Sequence, residues 1–248
     1  MNILLPISWS DLTDRQLLDF FTLLSNDQSF EEILTLCLLR WGKLRVLRRL
    51  PSGDYLVKQR AKPKTEAVLS LRQIHNATNT LVFFKSFPPF PTRITQIGRA
   101  RATTADFQGV PFSTFISVDN YYQGFLQTQN YDLLRQAATL LYPNATQARL
   151  TTAHCLMVFY WITSLKQYLA RIFPHFLQSV PRDPDNLLGT SATAFGDTLR
   201  TAVNAQIRAL TGGDITKETA VLEMDTWRAL TELDAKAKEC EDMKKGNR

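Results

Sequence analysis

The sequence predicts a mainly α-helical fold: a multi-helix domain around a buried central helix at about 151–173, with a small β-hairpin near 43–60. Three observations carry this. Cys155 to Ile162 is an unbroken apolar run. Beyond it the pattern thins to Leu165, Tyr168, Leu169, Ile172 and Phe173, whose spacings of three and four mark one face of a helix. Near residues 44–57 the period changes, and two short runs flank Pro51-Ser52-Gly53-Asp54, the pattern of a hairpin.

The central stretch is apolar all round in its first half, which requires burial on most sides. Thr151 or Thr152 supplies a hydroxyl to cap its start, and Pro174 ends it because proline cannot continue the amide ladder. Its charge-free part runs only from Leu150 to Leu165, between Arg149 and Lys166. A membrane span needs about 20 apolar residues, so this is a core helix and no membrane association is expected. His154 and His175 bracket it. With no carboxylate or cysteine at ligand spacing, both read as packed, hydrogen-bonded residues.

From the N-terminus, residues 2–6 read as a short edge strand. A helix follows from Ser10 or Asp11, burying Leu17, Leu18, Phe20, Phe21, Leu23 and Leu24. Ser29 and Glu32 form a capping box, which satisfies two amides reciprocally, and start a helix carrying Phe30, Ile33, Leu34, Leu36, Cys37, Leu38 and Trp41, with Gly42 as its stop. After the hairpin, residues 65–76 read as a helix through Ala67, Val68, Leu71 and Ile74, with 80–84 extending or following it. Phe87-Pro88-Pro89-Phe90-Pro91 is a stiff extended connection, and Ile94 and Ile97 belong to a short extended piece ending at Gly98. Gly109-Val110-Pro111-Phe112 is a turn. Residues 118–142 read as one or two helices with aromatic faces. Residues 179–194, with two prolines and a glycine, read as the clearest loop or boundary. A helix at 195–210 stops at Thr211-Gly212-Gly213, and Asp214 caps a last helix to about residue 243, striped by Val221, Met224, Trp227, Leu230 and Leu233. This divides the chain into a core at 1–178 that includes the hairpin, a linker at 179–194, and a C-terminal helical segment at 195–248.

The net charge of +6 is unevenly placed. Residues 1–39 hold six acids and one base, whereas residues 40–64 hold nine bases and one acid. That asymmetry is the functional signal. Arg45, Arg48, Arg49, Lys58, Arg60, Lys62 and Lys64, with Tyr55 as the single nearby aromatic, form one candidate interaction surface. Met224 and Trp227 on the last helix form another. The basic stretch fits a solvated hairpin edge protected by charge, a dock for an acidic protein, or a nucleic-acid contact. The three cysteines, Cys37, Cys155 and Cys240, are far apart, with no CxxC and no Cys/His cluster, which suits reduced thiols in the cytoplasm. The N-terminus lacks the pattern of a signal peptide. No phosphate loop, dinucleotide fingerprint, zinc-protease motif, nucleophile elbow or EF-hand occurs. Asp183 and Asp185 share the proline loop without further oxygen ligands around them. No cofactor, metal or catalytic set is expected.

Three stretches together carry a resemblance: LPISWSDLTDRQLLDFF, DFQGVPFSTFISVDNYYQGFLQT, and FYWITSLKQYLARIFPHF with NAQIRALTGGDITKE. They resemble proteins encoded in the structural-gene regions of phages and prophages of Bacteroides-type bacteria, near the tail genes, in the position of a tail assembly chaperone. The resemblance covers most of the chain through patterns of helix and turn. It implies a non-enzymatic cytoplasmic factor, or a minor virion component, that binds other phage structural proteins in particle assembly. The alternative is a nucleic-acid-binding protein acting through residues 43–64.

Overall fold

Polar residues set where the helices begin. A computed structural model describes residues 3–26, 28–59, 66–177 and 192–246. Among them Thr13 and Gln16 close a capping box at the start of helix α1 (Asp14–Leu24), and Ser29 and Glu32 close one at α2 (Phe30–Trp41). Ser70 and Gln73 do the same for α3 (Leu71–Asn79). Each pair satisfies orphan amides that water would otherwise have to serve.

The described fold is mainly α, with nine α-helices among the described residues. A three-stranded antiparallel sheet, β1 (Leu44–Arg49), β2 (Tyr55–Gln59) and β3 (Glu66–Leu69), lies between α2 and α3. A two-residue hairpin, β4 (Gln96–Ile97) and β5 (Ala100–Arg101), precedes α4 (Phe112–Thr128) and α5 (Tyr131–Leu141). The central helix α6 (Thr152–Ile172) follows, then α7 (Ala192–Thr211), α8 (Glu218–Glu223) and α9 (Thr226–Gly246).

Helix α6 lies against α1 and α5. Trp161 is 0% exposed and donates its indole N–H to the Ala105 carbonyl at 2.8 Å. Burying so large a side chain is tolerated because its one polar atom has a partner. Tyr122 and Thr163 share a buried hydroxyl bond of 3.1 Å. Elsewhere in the core Trp9 meets Phe20, Phe21 and Phe84, and the Phe20 and Phe84 rings stack at 3.9 Å. Val221, Ala229, Leu230 and Leu233 of the C-terminal segment join the same buried cluster as Trp161 and Leu165.

Five expectations from sequence are corrected. Residues 3–6 form no strand: no described strand pairs with them. The first helix begins at Asp14, because residues Trp9–Asp11 form a 3₁₀ turn in which the Asp11 carboxylate accepts from the Ile7 amide and the Ser8 hydroxyl. Residues 66–69 are strand, not helix, since they pair with the free side of β2. The last helix is broken at Met224-Asp225. There the Met224 carbonyl accepts from Phe112 N–H at 2.8 Å, and Thr226 N–H donates to the Val110 carbonyl at 2.9 Å. Asp225 then restarts the helix, accepting from the Arg228 amide at 3.2 Å and from the Gly109 amide at 2.5 Å. Helix α7 already begins at Ala192, inside the segment read as a loop. The remainder of that loop, with Asp183 and Asp185, lies outside the described residues.

Candidate functional site

The basic sheet is positioned by how α2 ends. Gly42 caps the helix, and Lys43 turns the chain with φ +52°, sending it into β1. The β1–β2 connection closes through Leu50 N–H to Asp54 O at 2.8 Å and Gly53 N–H to Leu50 O at 2.9 Å. Gly53 sits at φ +89°, where only glycine is comfortable.

Register decides which bases share a face. Arg45 pairs with Lys58, and Lys58 with Glu66. Arg48 pairs with Leu56, and Leu56 with Val68. Paired residues in neighbouring strands lie on the same face. Arg45 and Arg48 are three apart and would fall on opposite faces of a regular strand. A bulge between Val46 and Arg48 absorbs the extra residue and brings both to one side with Lys58. The opposite face carries Leu44, Val57 and Tyr55, with Leu44 and Val57 buried. Arg49 shares Tyr55's row at the turn end of the sheet.

Arg45, Arg48 and Arg49 are exposed and Lys58 is half-buried. None of the four makes an ion pair among the described residues. Their face also shows carbon: Val68 is 50% exposed. Arg60, Lys62 and Lys64 lie outside the described residues. The structure thus brings Arg45, Arg48 and Lys58 together on one side of the sheet and sets Tyr55 on the other.

Met224 and Trp227 are held by their own chain. Trp227 donates its indole N–H to the Asp106 carbonyl at 2.7 Å and packs edge-on against Phe173 at 5.6 Å. Met224 is half-buried against the core. Beyond them α9 fastens the end of α6. One oxygen of Asp234 accepts from the His175 and Phe176 amides at 2.8 and 2.9 Å, and Glu241 lies 3.2 Å from His175 Nδ1.

The buried titratable groups are structural in setting. Burial pushes the Cys37 thiol up to about 12 and raises that of Cys155, so both stay protonated. Cys240 is exposed. His154 is lowered by burial, and its Nδ1 accepts the Thr151 backbone N–H at 3.2 Å, capping α6 with a neutral ring. Among the described residues no group of three or more His, Cys, Asp or Glu stands close enough to hold a metal ion. No helix among them is long and apolar enough to cross a membrane. No protein-family model, curated protein or solved structure matches the chain.

Proposed function

We propose that this chain is a non-enzymatic protein-binding factor in the assembly of a phage or prophage particle, at the tail stage, with a chaperone-like or minor structural role. It works in the cytoplasm of the bacterial host or is carried into the particle. The observation that carries the reading is the composite face of Arg45, Arg48 and Lys58: three cations on one side of a small sheet, none in an ion pair among the described residues, beside exposed Val68. Such a face fits an acidic protein surface with some apolar content, where complementary charge sets encounter rate and register. The resemblance to tail-region proteins supports the choice of partner.

The same charge supports nucleic-acid binding as the second reading. Single-stranded binders combine bases with stacking aromatics on one surface. Here Tyr55 lies on the opposite face from Arg45 and Arg48, and Glu66 sits in the row of Lys58, so a protein partner is the better fit.

The test is co-expression of the tagged chain with the tail-region proteins encoded beside it, with the Arg45→Glu/Arg48→Glu double variant alongside. A named particle protein retained by the native chain and lost by the variant supports the reading. Retention of nucleic acid alone, with affinity falling steeply as salt rises, would transfer the function to the second reading.

A further inference from the structure

A groove of about 1030 Å³ runs between α1 and α2 and ends at the first residue of β1. Its apolar lining is Leu36, Leu39, Trp41 and Leu44, and its charged lining is Arg15, Asp19, Arg40 and Lys43. Asp19 is already engaged by Arg40 at 3.1 Å. Arg15 and Lys43 are exposed and make no ion pair among the described residues. The indole N–H of Trp41 is buried without an acceptor. The groove therefore offers donors and positive charge around a carbon surface, and the one carboxylate among its described lining residues is in use.

Local structure does not account for the two free bases. Arg15 is the second residue of α1, at the positive end of the helix dipole, where a base is unfavourable. Lys43 holds a left-handed backbone at φ +52°, which glycine or asparagine would occupy at lower cost. Residues that break a local rule without a local gain point to a role elsewhere. Arg40 differs, since a base in the last turn of α2 is favoured there.

We propose that this groove binds an acidic segment of a partner protein, with its apolar side chains on the half-buried Leu36 and Leu39 and its carboxylates against Arg15 and Lys43. This rests on the protein-binding reading above but uses a separate surface, continuous with β1 through Lys43 and Leu44. A protein segment fits better than a nucleic acid because the floor is aliphatic. A second copy of the chain is the competing occupant: a dimer in light scattering that Lys43→Glu dissolves overturns a separate partner.

The probe is a fluorescein-labelled decapeptide of alternating Leu and Asp, titrated with the intact chain and followed by anisotropy. The matching Leu/Asn peptide and a 20-nucleotide single-stranded DNA serve as competitors. The Leu/Asp peptide should bind, and Arg15→Glu and Lys43→Glu should each weaken it tenfold or more, while Arg228→Glu on α9, outside both the groove lining and the sheet, leaves it unchanged and Arg48→Glu reports any contact at the sheet. Lys43→Gly provides the second signature. It should raise Tm by relieving the backbone and still weaken the peptide, which a purely structural lysine would not do. Equal binding by both groove variants, equal competition by the Leu/Asn peptide, or no binding at low salt overturns the proposal. Loss in Arg48→Glu alone moves the acidic contact to the sheet, overturning the groove while the proposed function stands. Displacement by DNA overturns a protein ligand at both surfaces.

Discussion

Trp161 in α6 is fully enclosed, with its N–H bonded to the Ala105 carbonyl, while Arg45, Arg48 and Arg49 in β1 stand in solvent and make no ion pair among the described residues. One region holds carbon and satisfied polar atoms. The other holds charge on a thin sheet, with Leu44 and Val57 buried beneath it. The contrast separates two kinds of residue. Those of α6 are enclosed in the core, and those of β1, on the function proposed above, meet the partner.

The comparison breaks if substitutions fail to divide the same way. The largest effect is expected on the core side from deleting residues 214–248. That removes Val221, Ala229, Leu230 and Leu233 from the shared cluster and should cost more than about 5 kcal/mol at 1.5–3 kcal/mol per large apolar side chain. A chain that melts unchanged would show α8 and α9 to be appendages. A truncation just after Asp234 keeps that residue's bonds to the His175 and Phe176 amides and loses the part-exposed Glu241 contact. It should fall within about 1 kcal/mol of the full chain.

Next, Trp161→Ala should lose roughly 3–5 kcal/mol in urea unfolding, whereas Arg48→Glu should stay within about 0.5 kcal/mol. Equal losses from the two would erase the distinction.

A smaller effect concerns His154. Burial lowers its pKa below the usual 6.5, so the unfolded chain binds the proton more readily. Stability is full above about 6.5 and declines as pH falls through the folded value. Protonation of Nδ1 also removes the acceptor for the Thr151 amide. Melting curves from pH 8 to 5 should show a slope that His154→Asn flattens, and identical slopes would place the titration elsewhere. The mildest test is chemical. A thiol reagent should label Cys240 at once, and Cys37 and Cys155 only on unfolding, because both are buried and protonated. Prompt labelling of three thiols would mean the core is open.

Elements written in local signals were legible. The Ser29 and Glu32 capping box, the Gly42 stop, the hairpin about Pro51–Asp54 and the apolar run of α6 all appear where the sequence puts them. What depends on distant partners was not. Residues 66–69 carry Ala67, Val68 and Leu69, as acceptable in a helix as in a strand, and the open side of β2 decides. The stripe through Val221, Met224 and Trp227 keeps helical spacing across a real break, because backbone bonds from Val110 and Phe112 interrupt it. Asp225 followed by Thr226 was the available signal, an N-cap type just before a helical run. On the candidate surface the positive charge was visible, but its division between faces was not, since a bulge is needed to place Arg45 beside Arg48. Arg15 escaped notice because it lies far from the other bases in sequence and approaches Lys43 only across the α1–α2 groove.

The stitch between Asp106–Phe112 and Met224–Trp227 has a consequence for how the chain is made. The Asp106 carbonyl waits for a partner 121 residues later, which at ribosomal rates of about 5–20 residues per second is roughly 6–24 s of synthesis. The Val110 carbonyl waits 116 residues for the Thr226 hydroxyl. Once residue 172 has been made, α4 and α6 can be complete while the seat for α9 stays bare, with Phe112 at its edge. A nascent chain of this length should therefore be held by a general holdase until Trp227 leaves the exit tunnel, and released when the indole closes onto Asp106.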